Sequence, residues 1–170
     1  TGTTDVLTYG DLVETGSIVG PRIYSTGPGV FSAEQIKDLD HARDVLSRYS
    51  DYYDTKTIKM YTSGNRQQRQ WIVMAAREQE LLPTTEGALD MKYNIEMMLD
   101  GYPGQEHSFP IFPIYKDVVR LTAETGLAYT PTLLVSYGGP FGENYFYTRE
   151  NPHDDQKLRR FTAHSVLDGS

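Results

Sequence analysis

The chain has 170 residues, of which 38% are hydrophobic and 23% charged. It is long enough for one globular domain with a core and too short for a complete eight-unit α/β barrel of about 250 residues. The net charge of -7 argues against a nucleic-acid or anionic-membrane partner, because phosphate binding needs a concentrated basic surface. There is no cysteine, so any metal must be held by His, Asp, Glu or a modified lysine.

No apolar run reaches the roughly 20 residues that span a bilayer, and the N-terminal residues do not form a signal peptide. The composition does not define a compartment. The chain lacks an initiating methionine and begins directly in sequence typical of a strand. This beginning predicts that the chain is part of a longer protein.

Turn residues and hydrophobic periodicity predict about six strands that alternate with helices. The strands are predicted at residues 3–8, 22–25, 55–61, 81–85, 105–108 and 128–136. The helices are predicted at residues 11–14, 32–48, 66–81, 91–99, 114–125 and 154–167. The alternation predicts one α/β domain over residues 1–170 with a mainly parallel sheet.

Three stretches have two interpretations each. The loop Gly27-Pro28-Gly29 either cradles a phosphate or forms a plain βα turn, and it lacks the spacing and the Lys-Ser/Thr ending of a Walker motif. His41 lies among aspartates of a predicted helix, which indicates either a metal cluster or, more ordinarily, a solvated charged face. The aromatic and glycine-rich residues 137–152 form either an active-site lid or a surface flap.

Three polar residues recur near the ends of successive predicted strands. They are Lys59, Glu86 and His107, each followed by a helical pattern. An α/β barrel keeps its catalytic groups at the carboxyl ends of its strands. Each residue also has an ordinary structural interpretation: an ion-paired lysine, a helix cap and a core histidine.

Several short motifs, in order along nearly the whole chain, resemble the amidohydrolase superfamily. The resemblance is closest to the imidazolonepropionase- and prolidase-related branch that is often fused behind TolB-type propeller repeats. The motifs are Gly20-Pro21-Arg22-Ile23-Tyr24-Ser25-Thr26-Gly27, Ile58-Lys59-Met60-Tyr61, Arg66-Gln67-Gln68-Arg69-Gln70, Glu86-Gly87, Asp100-Gly101, Gly104-Gln105-Glu106-His107-Ser108, Tyr129-Thr130-Pro131-Thr132-Leu133, Tyr137-Gly138-Gly139 and Gly142-Glu143-Asn144-Tyr145.

The resemblance implies a (β/α)8 TIM barrel that binds one or two divalent metals, usually zinc, and hydrolyses a C-N bond of a small molecule. By position, Lys59 matches the carboxylated lysine of barrel strand 4, and His107 matches the histidine of strand 6. Glu86 stands where most members have the histidine of strand 5, and the TolB-associated branch has Glu-Gly there. The implied metal ligands in this chain are therefore Lys59, Glu86 and His107.

The chain also departs from the family pattern. It contains no His-x-His motif and no strand after residue 136 that ends in the expected aspartate. The predicted strands therefore correspond to barrel strands 2 to 7, and the first and last strands are missing. This predicts an isolated chain that is inactive by itself. An alternative is a non-catalytic binding or assembly domain derived from the fold, which forms a homo-oligomer or is completed by another barrel segment.

Overall fold

A computed structural model describes residues 5–30, 35–53, 55–132, 149 and 151–167. The chain divides into two compact units, residues 1–131 and residues 132–170. One domain over the whole chain stays a prediction. Among the described residues, no helix is long and apolar enough to cross a membrane.

The first unit is an α/β structure with a parallel sheet of four strands in its described part. The strands are β1 (Thr57–Met60), β2 (Leu82–Thr85), β3 (Gly104–Glu106) and β4 (Ala128–Thr130), and they lie side by side in chain order. Every neighbouring pair is parallel. Val30 adds an isolated parallel bridge to Met60 outside β1. The predicted α/β class with parallel strands is thereby confirmed.

Helices precede and separate the strands. They are α1 (Asp5–Glu14), α2 (Leu39–Asp51), α3 (Arg66–Glu78), α4 (Met91–Asp100) and α5 (Lys116–Thr125). The second unit contains a short 3-10 helix (Pro152–Asp154), α6 (Gln156–Phe161) and α7 (His164–Leu167). In the first unit, α3, α4 and α5 each connect one strand to the next, as the crossover of a parallel sheet requires.

Side-chain caps explain where the helices begin. Asn65 and Gln68 form a reciprocal capping box at the start of α3, with bonds of 3.0 Å and 2.8 Å to each other's backbone N–H. Asp90 accepts from the backbone N–H of Lys92 at the start of α4. At the other end of α4, Gly101 has φ +87°, the left-handed conformation that glycine adopts at low cost.

The two faces of the sheet differ in burial. Ile58 and Met60 of β1 are fully buried against the helices. The core they join contains Ala42, Val45, Leu46, Ile72, Val73, Ala75, Ala76 and Met97. On the opposite face, Thr57, Leu82, Ala128 and Thr130 are exposed. We call this second surface the open face of the sheet. Parallel sheets are usually covered on both faces.

Pro83 lies inside β2, where its missing N–H could interrupt the pairing of the strand. The backbone N–H groups of Leu82 and Glu86 donate to the carbonyls of Lys56 and Met60. Because successive residues of a strand direct their backbone groups to opposite neighbours, those of Pro83 face away from β1. On that other side, the pairing with β3 begins only at Thr84. The missing N–H of Pro83 therefore removes no bond from either ladder.

Two of the six strand predictions are wrong. Residues 5–14 form helix α1 where a strand at 3–8 was predicted, because the apolar side chains repeat at helical spacing through Val6, Leu7 and Val13. Residues 22–25 are irregular, and the bridge to β1 occurs later, at Val30. The last predicted strand is confirmed over residues 128–130, and its residues 133–136 lie outside the described part.

The helix predictions are better, with errors at their ends. Helix α2 begins at Leu39 rather than at residue 32, because residues 35–37 are irregular and Asp38 caps the helix by accepting from the backbone N–H of His41 at 2.8 Å. The predicted helix at 154–167 is interrupted at Thr162 and Ala163, which separate α6 from α7. Helix α5 begins at Lys116, two residues after the predicted start at residue 114.

Candidate metal centre

Glu86 and His107 follow the carboxyl ends of two neighbouring strands. Glu86 is the residue after β2, and its backbone N–H donates to the carbonyl of Met60 at 3.0 Å. His107 is the residue after β3, and its backbone N–H donates to the carbonyl of Thr130 at 2.9 Å. Each backbone thus extends its ladder by one bond. The parallel strands consequently bring the two side chains to the same end of the sheet.

The two side chains meet. Oε1 of Glu86 lies 3.4 Å from Nε2 of His107, and the side chains are 36% and 39% exposed. This distance is longer than the 2.7–2.9 Å typical of a charge-assisted hydrogen bond. It is close to the separation of about 3.3–3.6 Å between two ligand atoms that share one tetrahedral zinc with bonds of 2.0–2.2 Å. The two atoms are therefore spaced as two ligands of one metal ion would be.

The backbone of His107 is unusual. Its φ of +66° lies in the left-handed region, which is uncommon for residues other than glycine. Its ring Nδ1 is buried and has no hydrogen-bond partner among the residues that the structure describes. A histidine ligand ordinarily donates this second N–H to a carboxylate or carbonyl. The imidazole therefore points Nε2 toward Glu86, while Nδ1 is buried without a hydrogen bond from the described residues.

Lys59 is on β1, and its side chain lies over Tyr61 rather than beside Glu86 and His107. Its register partner is Thr84, so its Cα lies about 8 Å from that of Glu86 by ordinary strand spacing. Its Nζ lies over the ring of Tyr61, 5.4 Å from the ring centroid. An unmodified ammonium group cannot donate a lone pair to a metal. Of the three predicted ligands, the structure brings together Glu86 and His107 and leaves Lys59 apart.

A complete ligand set is not assembled. Within residues 5–30, 35–53, 55–132, 149 and 151–167, no group of three His, Asp or Glu side chains is placed to hold a metal ion. Structural and catalytic zinc sites use three or four protein ligands. Glu86 and His107 can supply two of them, and a carboxylated Lys59 is the third candidate on this sheet.

A buried polar cluster that the sequence did not indicate lies between α3 and α4. Arg69 is 6% exposed, and its guanidinium donates to the carbonyl of Gly64 at 2.7 Å and to Oε2 of Glu96 at 3.1 Å. The same guanidinium lies 4.5 Å from the ring centroid of Tyr93. Burial raises the pKa of the Tyr93 phenol. Helical spacing alone gives no signal of this cluster, because it does not show that the Arg69 side chain is buried.

Gln105 is a second buried polar residue that the sequence did not single out for its side chain. It is 1% exposed, and neither its Nε2 nor its Oε1 has a hydrogen-bond partner in the described part of the chain. It pairs with Thr85 in the register of β2 and β3, one residue before Glu86. A buried amide without partners costs stability, and this one lies close to the Glu86–His107 pair.

The other predicted candidates have ordinary structural roles. His41 accepts from the backbone N–H of Lys37, Asp38 caps α2, and Asp40 pairs with Arg43 at 2.6 Å.

In the loop at residues 27–29, a Cβ at Gly27 would come within 3.1 Å of Tyr49, and one at Gly29 within 2.8 Å of Tyr61. Close packing thus accounts for these glycines without a phosphate. The predicted lid lies almost wholly outside the described residues.

A cavity of about 540 Å³ lies at the opposite, amino end of β1. Its lining includes Asp11, Glu14, Tyr24, Tyr53 and Lys56. It shares no residue with the Glu86–His107 pair. The pair is therefore on the surface at the carboxyl ends of the strands and is separate from this cavity.

Comparison with protein-family models, with curated proteins and with solved structures gave no match to this chain. The amidohydrolase resemblance consequently depends on the motifs quoted above. Metal ligation by Lys59, Glu86 and His107 stays a prediction.

Proposed function

We propose that this chain is the central part of an amidohydrolase-type (β/α)8 barrel, a metal-dependent hydrolase that cleaves a C-N bond. The substrate is a small molecule with an amide, a cyclic amide or a dipeptide-like linkage. One observation carries the proposal: Oε1 of Glu86 and Nε2 of His107 lie 3.4 Å apart at the carboxyl ends of adjacent parallel strands. That end of the sheet is where α/β barrels position their chemistry.

In this proposal, Glu86 and His107 each donate one ligand atom to a divalent ion, zinc in the first instance. A bound zinc ion supplies Lewis acidity and a water whose pKa is lowered to about 7. The carboxylate of Glu86 offsets part of the ion's charge, and the neutral imidazole of His107 leaves Nε2 free to donate its lone pair. The half-exposed position of both side chains leaves room for a small substrate.

Lys59 completes the set only after its amine has reacted with carbon dioxide to form a carbamate. That modification removes the positive charge and provides two oxygen donors on the same face of the sheet as Glu86. A rotation of the side chain away from Tyr61 is also needed, because Nζ now lies over that ring. We propose further that the isolated chain has little turnover, since its ligand set is incomplete.

A zinc titration of the full chain against a chromophoric chelator tests the proposal. We expect one zinc site per chain, with affinity at least about 10-fold lower in His107→Ala and in Glu86→Gln, because each variant removes one ligand. His41→Ala is the matched control, since it removes a partly buried histidine from the surface of α2. Wild-type protein without a zinc site, or with a site that His107→Ala leaves intact, would refute the proposed metal centre.

The open face of the sheet favours a second candidate function, a non-catalytic assembly domain. Leu82, at the amino end of the inner strand β2, is 50% exposed, and Thr57 beside it is also exposed. Another barrel segment or a second copy would cover this face. Sedimentation velocity tests the idea: we expect association that Leu82→Asp weakens. A well-folded wild-type chain that stays monomeric at all concentrations contradicts it.

A further inference from the structure

One buried side chain fastens the turn that follows Glu86 to helix α4. Asn94 is fully buried, its Nδ2 donates to the carbonyl of Ala88 at 2.9 Å, and its Oδ1 accepts from the N–H of Ala88 at 3.0 Å. Ala88 belongs to no helix or strand, so no ladder satisfies these two backbone groups. A single side chain thus provides both hydrogen bonds of Ala88.

Gly87, between Glu86 and Ala88, is enclosed from several sides. Its φ is +79°, and its N–H donates to Oγ1 of Thr85 at 3.2 Å. A Cβ on Gly87 would lie 3.1 Å from Oδ1 of Asn94 and 3.0 Å from Nε2 of Gln105. Since the N–H of Glu86 is itself bonded to Met60, the backbone is fixed on both sides of the Glu86 side chain.

Helix α4 does not need the Asn94 side chain for its own stability. The cap of this helix is Asp90, and the backbone N–H of Asn94 already donates to the Asp90 carbonyl. Asparagine is a poor helix former, because its side chain competes for nearby backbone groups. Its placement at a fully buried position of α4 is explained by the bonds it makes to Ala88.

We propose that Asn94 is a positioning residue, which holds the turn of residues 86–88 so that the Glu86 carboxylate faces His107. The role in metal binding rests on the proposed function, whereas the role in holding the turn does not. Thr85 also holds this turn, because its Oγ1 accepts from the N–H of Gly87.

NMR on the metal-free chain tests the positioning directly. We expect Asn94→Leu to speed amide hydrogen exchange at Ala88 and to shift the ring signals of His107 in the same direction as Glu86→Gln does. Asn65→Ala is the matched control, because it removes an asparagine that caps α3 and makes no bond to this turn. If the first variant fails to fold, the milder Thr85→Val, which removes the acceptor for Gly87, decides the question.

The zinc titration separates this inference from the proposed function. If the wild-type chain binds zinc through Glu86, we expect Asn94→Leu and Thr85→Val to lower the affinity by about 10-fold to 100-fold, as loss of a supporting residue does. We expect Asn65→Ala to leave it unchanged. A chain that binds no zinc refutes the metal centre alone, and the NMR result still stands. Unchanged exchange at Ala88 and unchanged His107 signals in a folded variant overturn the positioning role.

Discussion

The two faces of the parallel sheet are built from alternate residues of the same strands, yet they have different tasks. Ile58 and Met60 point into the helix-covered core, where they are fully buried. Thr57 and Lys59 alternate with them and lie on the open face, exposed and half-buried respectively. The covered face therefore supplies stability. On the open face and at the strand ends beside it, polar groups are left accessible.

The largest expected effect is a difference between the two faces in how much a substitution lowers the free energy of unfolding. We expect Ile58→Ala to lower the free energy of unfolding by about 2–5 kcal/mol, because it leaves a cavity in a close-packed core. The neighbouring Thr57→Ala should change it by no more than about 0.5 kcal/mol. Urea denaturation of both variants measures the difference. Equal losses would show that the two faces are equally packed and would remove the contrast.

We expect the stability of the helix-covered side to depend on pH, because an ion pair between Arg66 and Asp100 joins α3 to α4. Burial raises the pKa of the Asp100 carboxyl, but hydrogen bonds from Arg66 and Gln70 outweigh it and lower the pKa below its ordinary value. A lowered carboxyl pKa stabilises the fold above the ordinary value. That stabilisation is lost as the pH falls through the folded value.

We accordingly expect stability to fall on acidification and Asp100→Asn to flatten that fall. Thermal unfolding between neutral and acidic pH measures it. Asp44→Asn, which changes an exposed aspartate of α2, is the control and should keep the wild-type slope. A slope that Asp100→Asn leaves unchanged would contradict the role of the Arg66–Asp100–Gln70 contact.

The smallest expected effect concerns the strand end itself. His107→Ala and His107→Gly both remove the imidazole, but only glycine relieves the φ of +66°. We expect the glycine variant to be more stable than the alanine variant by about 1 kcal/mol. Chemical denaturation of the two variants checks this. A glycine variant no more stable than the alanine one would mean that the backbone at residue 107 carries no strain.

The sequence predicted the parts of this fold in which local chemistry decides. The strands at β1, β2 and β3 and the helices α3 and α4 were expected, because their apolar periods, caps and glycine ends agree with the final structure. Residues 5–14 were misjudged because the short apolar run at residues 6–7 does not by itself distinguish a strand from a helix. The start of α2 was missed because Asp38, which caps the helix, lies inside the predicted range of residues 32–48.

Part of the candidate site could also be predicted, because the order of strands and helices follows from the sequence pattern. A histidine and a glutamate at the ends of successive parallel strands are brought together by topology, which the alternation of elements reveals. Asn94 and Gln105 were not expected, because their importance comes from burial and from backbone groups that they meet only in the folded chain. Helical or strand spacing cannot distinguish such residues from surface ones.

Zinc-edge anomalous diffraction from crystals of the chain grown with zinc locates the ion relative to the two proposed ligands. We expect an anomalous peak about 2.0–2.2 Å from both Oε1 of Glu86 and Nε2 of His107. Zinc that binds elsewhere while these two side chains remain without an ion between them would contradict it.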